Sequence, residues 1–196
     1  MTTRAQKLSR LKSPFLQVMG IVLGLSLVTM THAKGKLHLG AGAFSLNAST
    51  PSRSKTISGP GSYSVSYLHP LFRKLMLEAG YSVIMSEGIS GDMGFGLDIG
   101  LTFYPLTESQ EFGIEEDNVK VKIDEIWRPF LSGYFHQRQF QSVSSSYAGF
   151  GFGAGIERLF NEKYGLLVKA RYQILAGPQS SSASNIDFLI GLMVKL

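Results

Sequence analysis

The 196-residue chain contains no cysteine. Disulfide frameworks, thiolate metal sites and cysteine nucleophiles are thereby excluded. Long apolar runs are scarce too. The one clear case, Val18–Met30, spans thirteen residues, short of the roughly 20 that a membrane-crossing helix needs. No second run follows it, so if the remainder of the chain lies in a membrane it must do so as a closed barrel.

The short run belongs to a leader. Arg4, Lys7, Arg10 and Lys12 precede it with no acid among them, and Thr31-His32-Ala33 supplies the small residues that a signal peptidase reads. This predicts a signal peptide over 1–33, cleaved after Ala33, and a single mature domain over 34–196. The leader holds four of the 19 basic residues and none of the 14 acidic ones, leaving 15 against 14. The basic character of the whole chain is therefore a property of the leader. Nothing in the mature part is basic enough to imply nucleic acid as a partner.

What the mature part does have is alternation. Tyr63, Val65 and Tyr67 interleave with Ser62, Ser64 and Ser66; Met93, Phe95, Leu97, Ile99, Leu101 and Phe103 interleave with Asp92, Gly94, Gly96, Asp98, Gly100 and Thr102. That period of two is the signature of a strand with two unlike faces. It predicts eight strands, at about 36–46, 62–68, 73–85, 92–104, 126–140, 147–160, 164–175 and 185–196. Ala48–Gly61 reads as a polar loop, His69-Pro70 as a short turn and Asn161-Glu162-Lys163 as a tight turn. Leu106–Glu125 breaks the rhythm, carries seven of the fourteen acids, and offers Val119, Val121 and Ile123 as an extension of the fifth strand. Many of the 22 glycines fall at every second position, which suits crowded strands.

Leader, alternation and an apolar final strand together predict an all-β fold: an eight-stranded antiparallel transmembrane β-barrel in the bacterial outer membrane. An even strand count returns both termini to one side. With the apolar faces toward lipid, Glu78, Asp98, Glu157 and Asp187 share the lumen with Arg128, Arg138, Lys169 and Arg171, joined by His38 and His136. Four acids facing four bases predict a lumen filled by paired charges, because a buried charge must be partnered. An eight-stranded barrel has room inside for little more than side chains.

The eight-strand pattern, the glycine-rich sixth strand running into Ile156-Glu157-Arg158-Leu159-Phe160-Asn161-Glu162-Lys163-Tyr164-Gly165, and the strand Leu167-Val-Lys-Ala-Arg-Tyr172 resemble the small outer-membrane β-barrel domain family of the OmpA/OmpX type. The resemblance spans essentially all of 34–196. It implies outer-membrane lipid and lipopolysaccharide as surroundings, possible host or surface ligands for the loops, and a final strand read by the barrel-assembly machinery. Gly191, Val194 and Leu196 stand at the positions of that assembly signal, with Leu196 where the family has a terminal aromatic residue.

The expectation for function is a structural or surface-interaction role without catalysis, cofactor or metal. A narrow channel for small solutes and a lipid A-modifying enzyme are the alternatives. The enzyme would need a serine or histidine with a base and an orienting acid, and Arg171-Tyr172-Gln173 stands where a catalytic pair is expected. The acidic stretch 108–125 lacks the Asp-x-Asp-x-Asp-Gly spacing of a calcium loop. Gly149–Gly155 alternates with Phe and Ala and has no helix after it, unlike a nucleotide-binding loop. A soluble barrel with an apolar interior would require these faces to be reversed.

Overall fold

In the computed structural model the described residues are 35–87, 89, 93–106, 110–113, 120–123, 127–140 and 146–196. The expected leader and its expected cleavage site lie outside them. The strands are β1 (Lys36–Thr50), β2 (Arg53–Phe72), β3 (Leu75–Met85), β4 (Met93–Phe103), β5 (Gln110–Gly113), β6 (Lys120–Ile123), β7 (Trp127–Phe140), β8 (Ser146–Leu159), β9 (Tyr164–Ala176) and β10 (Ser182–Lys195). Eight of them close a barrel in the order β1-β10-β9-β8-β7-β4-β3-β2, every neighbouring pair antiparallel. Closure leaves no strand edge unpaired, which a sheet surrounded by apolar side chains requires.

Alternation sets which way each residue faces. Ile190, Phe188, Phe150, Phe152, Leu131, Phe135, Ile99 and Leu101 point outward and are exposed, whereas charged and hydroxylic residues fill the inside. A water-soluble barrel of this size would show the opposite distribution. The closing seam joins Lys36 to Lys195 at one end, called here the termini end, and continues in register to Ser49 and Ser182 at the other, the hairpin end.

Three sequence expectations are corrected. The polar loop over 48–61 is in fact strand: β1 and β2 pair up to Thr50 and Arg53, leaving a two-residue turn at Pro51-Ser52. Alternation fails to signal it because both faces are polar. The tip is held instead by hydroxyl and amide bonds, Ser58 Oγ to Ser45 Oγ at 3.0 Å, Ser54 Oγ to Asn47 Oδ1 at 3.1 Å and Arg53 N to Thr50 Oγ1 at 3.2 Å. A register shift separates the pairs Gly42/Ser62 and Phe44/Gly59 and exchanges the faces of β2, so that Ile57 packs inward on one side of it and Ser62 on the other. Pro60 lies at this shift, the kind of position where a strand proline is tolerated.

Second, His69 and Pro70 do not turn the chain. β2 runs through both to Phe72, with another register shift between Pro70 and Phe72, and the turn is Arg73-Lys74. Third, residues 120–123 do not extend the fifth barrel strand. They pair with 110–113 as a separate two-stranded sheet in the β4–β7 connection, at the termini end. Most of the acidic segment 108–125, with the cation-binding reading attached to it, lies outside the described residues.

Glycines on the inner face of β8 make the room that large lumen side chains occupy. A methyl at Gly155 would lie 2.5 Å from the Val168 carbonyl oxygen and closer still to the Phe130 ring. Because one of those obstacles is backbone, Gly155→Ala should destabilise the barrel by about 1–3 kcal/mol in urea unfolding. Gly133→Ala is the control: nothing lies within 4 Å of a methyl there, and its effect should be small.

Candidate functional site: the barrel lumen

The inner face of each strand contributes to one continuous polar belt. All eight predicted lumen charges, Glu78, Asp98, Arg128, Arg138, Glu157, Lys169, Arg171 and Asp187, lie inside the barrel and are no more than 4% exposed; His38 and His136 lie there as well. Desolvating so many ionised groups is tolerable only with close, well-directed partners.

Each carboxylate accepts at least two hydrogen bonds. At the termini end, Glu157 of β8 accepts from Lys36 Nζ at 3.2 Å and His38 Nε2 at 2.8 Å, both from β1, and from the Tyr104 hydroxyl. Glu78 of β3 accepts from Lys169 Nζ of β9 at 2.7 Å and from Thr102 Oγ1 at 2.6 Å. Midway, Asp98 of β4 accepts from Arg171 Nη1 at 2.8 Å and from the His136 Nδ1–H. Asp187 of β10 accepts from Arg171 Nη2 at 2.9 Å, Ser62 Oγ at 3.0 Å and Gln173 Nε2 at 3.2 Å. Arg171 therefore bridges two carboxylates with one guanidinium fork, as its planar geometry permits.

Several of these bonds cross the lumen. Glu78 and Lys169 stand on β3 and β9, on opposite sides of the ring of strands; this pair, Asp98–Arg171 and Lys36–Glu157 tie together wall segments that share no ladder, whereas Asp98–His136 and Asp187–Arg171 join register partners on neighbouring strands. Cations also stack on lumen rings: Lys36 Nζ is 4.1 Å from the Tyr104 centroid and Lys169 Nζ is 4.9 Å from that of Tyr134. Arg138 forms no carboxylate pair among the described residues; its Nη2 donates to Gln173 Oε1 at 3.1 Å and to Ser82 Oγ at 3.4 Å. Arg128 is buried on β7, in register with Glu157.

Sequence reading missed Lys36, although its spacing two residues before His38 places it on the same inward face. With Lys36 the described lumen holds five fixed cations against four carboxylates. The uncharged members that complete the network, Ser62, Thr102, Tyr104 and Gln173, stand on the polar faces that alternation assigns to the lumen, but alternation cannot pair them.

Apolar clusters flank the belt. At the hairpin end Phe44, Leu46, Ile84, Phe140, Leu175 and Ala183 pack together, with Ile89 of the β3–β4 connection folded onto them. At the termini end Leu68, Met76, Tyr104, Phe130 and Leu167 form a second cluster, interleaved with Lys36, His38 and Glu157. Chemically, the arrangement is suited to holding the wall rigid. The ring nitrogens turned away from their carboxylates, His136 Nε2 and His38 Nδ1, meet no described hydrogen-bond partner, so neither is poised on a described hydroxyl nucleophile.

The residues of the expected assembly signal are on β10 and just past it. Gly191 is in register with Gly40, where a methyl would collide with the Leu39 backbone; Val194 is half-buried; Leu196 is exposed, its amide donating to the Gly35 carbonyl at 2.9 Å.

Compared with solved structures, the barrel is similar to Neisserial surface protein A, with a TM-score of 0.58 at 13% identity, covering 84% of this chain and 98% of that one. The chain folds as a small eight-stranded barrel of the outer-membrane type. The N-terminal β-barrel domain of Pseudomonas aeruginosa OprF matches with a TM-score of 0.49 at 10% identity, over 84% of this chain and 98% of that one. Ail, the attachment invasion locus protein of Yersinia pestis, matches with a TM-score of 0.41 at 10% identity, over 82% and 99%. No family model and no curated protein sequence matches the chain. At such identities the likeness concerns the fold alone.

Proposed function

We propose that this protein is an outer-membrane barrel with a structural or surface-interaction role, non-catalytic, whose lumen is closed to solutes. The observation that carries the reading is the inside-out distribution of its side chains. Ile190, Phe188, Phe150 and Phe152 are each more than 60% exposed, while Glu157, Asp187, Arg138 and His136 are at most 1% exposed. In water that arrangement would present a wide apolar surface and bury charge at a cost; in a bilayer it matches the solvent on the outside. The apolar cluster across the hairpin end, and the large side chains packed among the charges at the termini end, favour a filled barrel over the rival reading, a narrow channel for small solutes.

In this reading the termini end faces the periplasm and the long β1–β2 hairpin, with exposed Arg53 and Lys55 near its tip, faces outward among lipopolysaccharide and surface ligands. Gly191, Val194 and Leu196 form the segment offered to the assembly machinery. Two measurements test it. Protein extracted from outer membranes should change gel mobility on boiling, and the folded protein in planar bilayers should add no steady current. Recovery in the soluble periplasm without a mobility shift would overturn the membrane assignment, and a stable unitary conductance would establish the channel.

A further inference from the structure

The outward face holds one group of cations. Arg158 stands on β8 in the same outward row as Phe150, Phe152, Ala154 and Ile156, and it is exposed. Its guanidinium carbon is 4.9 Å from the ring centroid of Trp127, its partner in the β7–β8 register. One turn on, Lys163 Nζ is 5.8 Å from the Tyr164 centroid. The Lys195 amide donates to the Lys163 carbonyl at 2.7 Å, tying this turn to the neighbouring strand. Phe160, Tyr164 and Trp127 are 62%, 46% and 50% exposed, marking where the apolar band ends. Among the described residues Arg158 and Lys163 form no ion pair, and Glu162 is the carboxylate in the same turn, leaving two cations against one acid.

An arginine on the lipid-facing row is costly at the bilayer centre and favourable at its edge, where the side chain reaches the headgroups. Stacking on Trp127 holds the guanidinium by its face, which leaves its N–H edges free for an oxyanion. Interfacial aromatics fix the depth of this patch at headgroup level. Resting on the membrane reading above, we infer that Trp127, Arg158, Lys163 and Tyr164 form a binding site for the phosphate of an anionic glycerophospholipid in the leaflet at the termini end.

Trp127 is the only tryptophan in the chain, so it reports on this site alone. The full barrel, folded into phosphatidylcholine vesicles, is compared with vesicles in which part of the lipid is acyl-brominated phosphatidylglycerol or acyl-brominated phosphatidylcholine. At equal mole fraction the brominated phosphatidylglycerol should quench Trp127 more strongly, corresponding to roughly thirtyfold preferential occupancy for two interfacial cations. In Arg158→Gln/Lys163→Gln the two lipids should quench alike, while Arg158→Lys should retain part of the preference. Equal quenching in the unaltered protein overturns the inference without any variant, as does a preference that survives the double substitution. Quenching by neither lipid would instead remove Trp127 from the bilayer and overturn the membrane reading itself.

Discussion

Replacing Arg171 by methionine should destabilise the folded barrel by about 3–5 kcal/mol, the range for breaking a buried ion pair from one side. Its guanidinium donates to Asp98 at 2.8 Å and to Asp187 at 2.9 Å, and all three residues are 4% exposed or less. Methionine fills much of the volume but donates nothing. Asp98 would keep only the His136 bond, and Asp187 only Ser62 and Gln173. Two ionised carboxylates would then stay in the lumen with part of their charge uncompensated. Urea unfolding of the barrel in lipid vesicles, followed by Trp127 fluorescence, gives the value. Adding Asp187→Asn should recover a substantial part of the loss, because it removes one of the stranded charges. If the double variant is as unstable as the sum of the two single ones, the pair is not coupled and the bridging role of Arg171 is wrong.

Ile190→Arg should cost about 2–4 kcal/mol in a bilayer, the range for arginine near the midplane on the lipid side of a barrel. Ile190 is 63% exposed and lies midway along the outward row of β10, between Phe188 and Leu192. Phe160→Arg, at the rim, should cost about 0–1 kcal/mol in the same assay, since the penalty fades toward the interface. The depth dependence is the informative part. Were the outer face in water, arginine at Ile190 would be neutral or helpful, and the two positions would not differ in this direction.

Much of this fold was legible in the chain. Where one face meets lipid and the other the lumen, as in Met93–Phe103, the two environments impose opposite demands on successive residues and the strand bounds follow within a residue. Where both faces meet water the contrast disappears, and the extension of β1 and β2 toward Pro51-Ser52 read as a loop. Register shifts are also silent. Nothing in Pro60-Gly61 announces that β2 exchanges its faces there, because the shift exists only relative to β1.

The site shows the same division. Periodicity places Glu78, Asp98, Glu157 and Asp187 on inner faces together with Lys169, Arg171, Arg138 and Arg128, since a side chain's direction in a strand is a local property of the backbone. Which acid meets which base is not local. Glu78 meets Lys169 across 91 residues of sequence and His38 meets Glu157 across 119, contacts set by barrel closure and by the stagger of strands that are not neighbours. By itself the sequence determined a two-faced, all-β chain with its charges on one side. Only the tertiary structure decided that the charged side is enclosed, that Lys36 joins it, and that an apolar cluster packs across the hairpin end of the belt, because closing the ring is what brings distant inner faces within hydrogen-bonding distance.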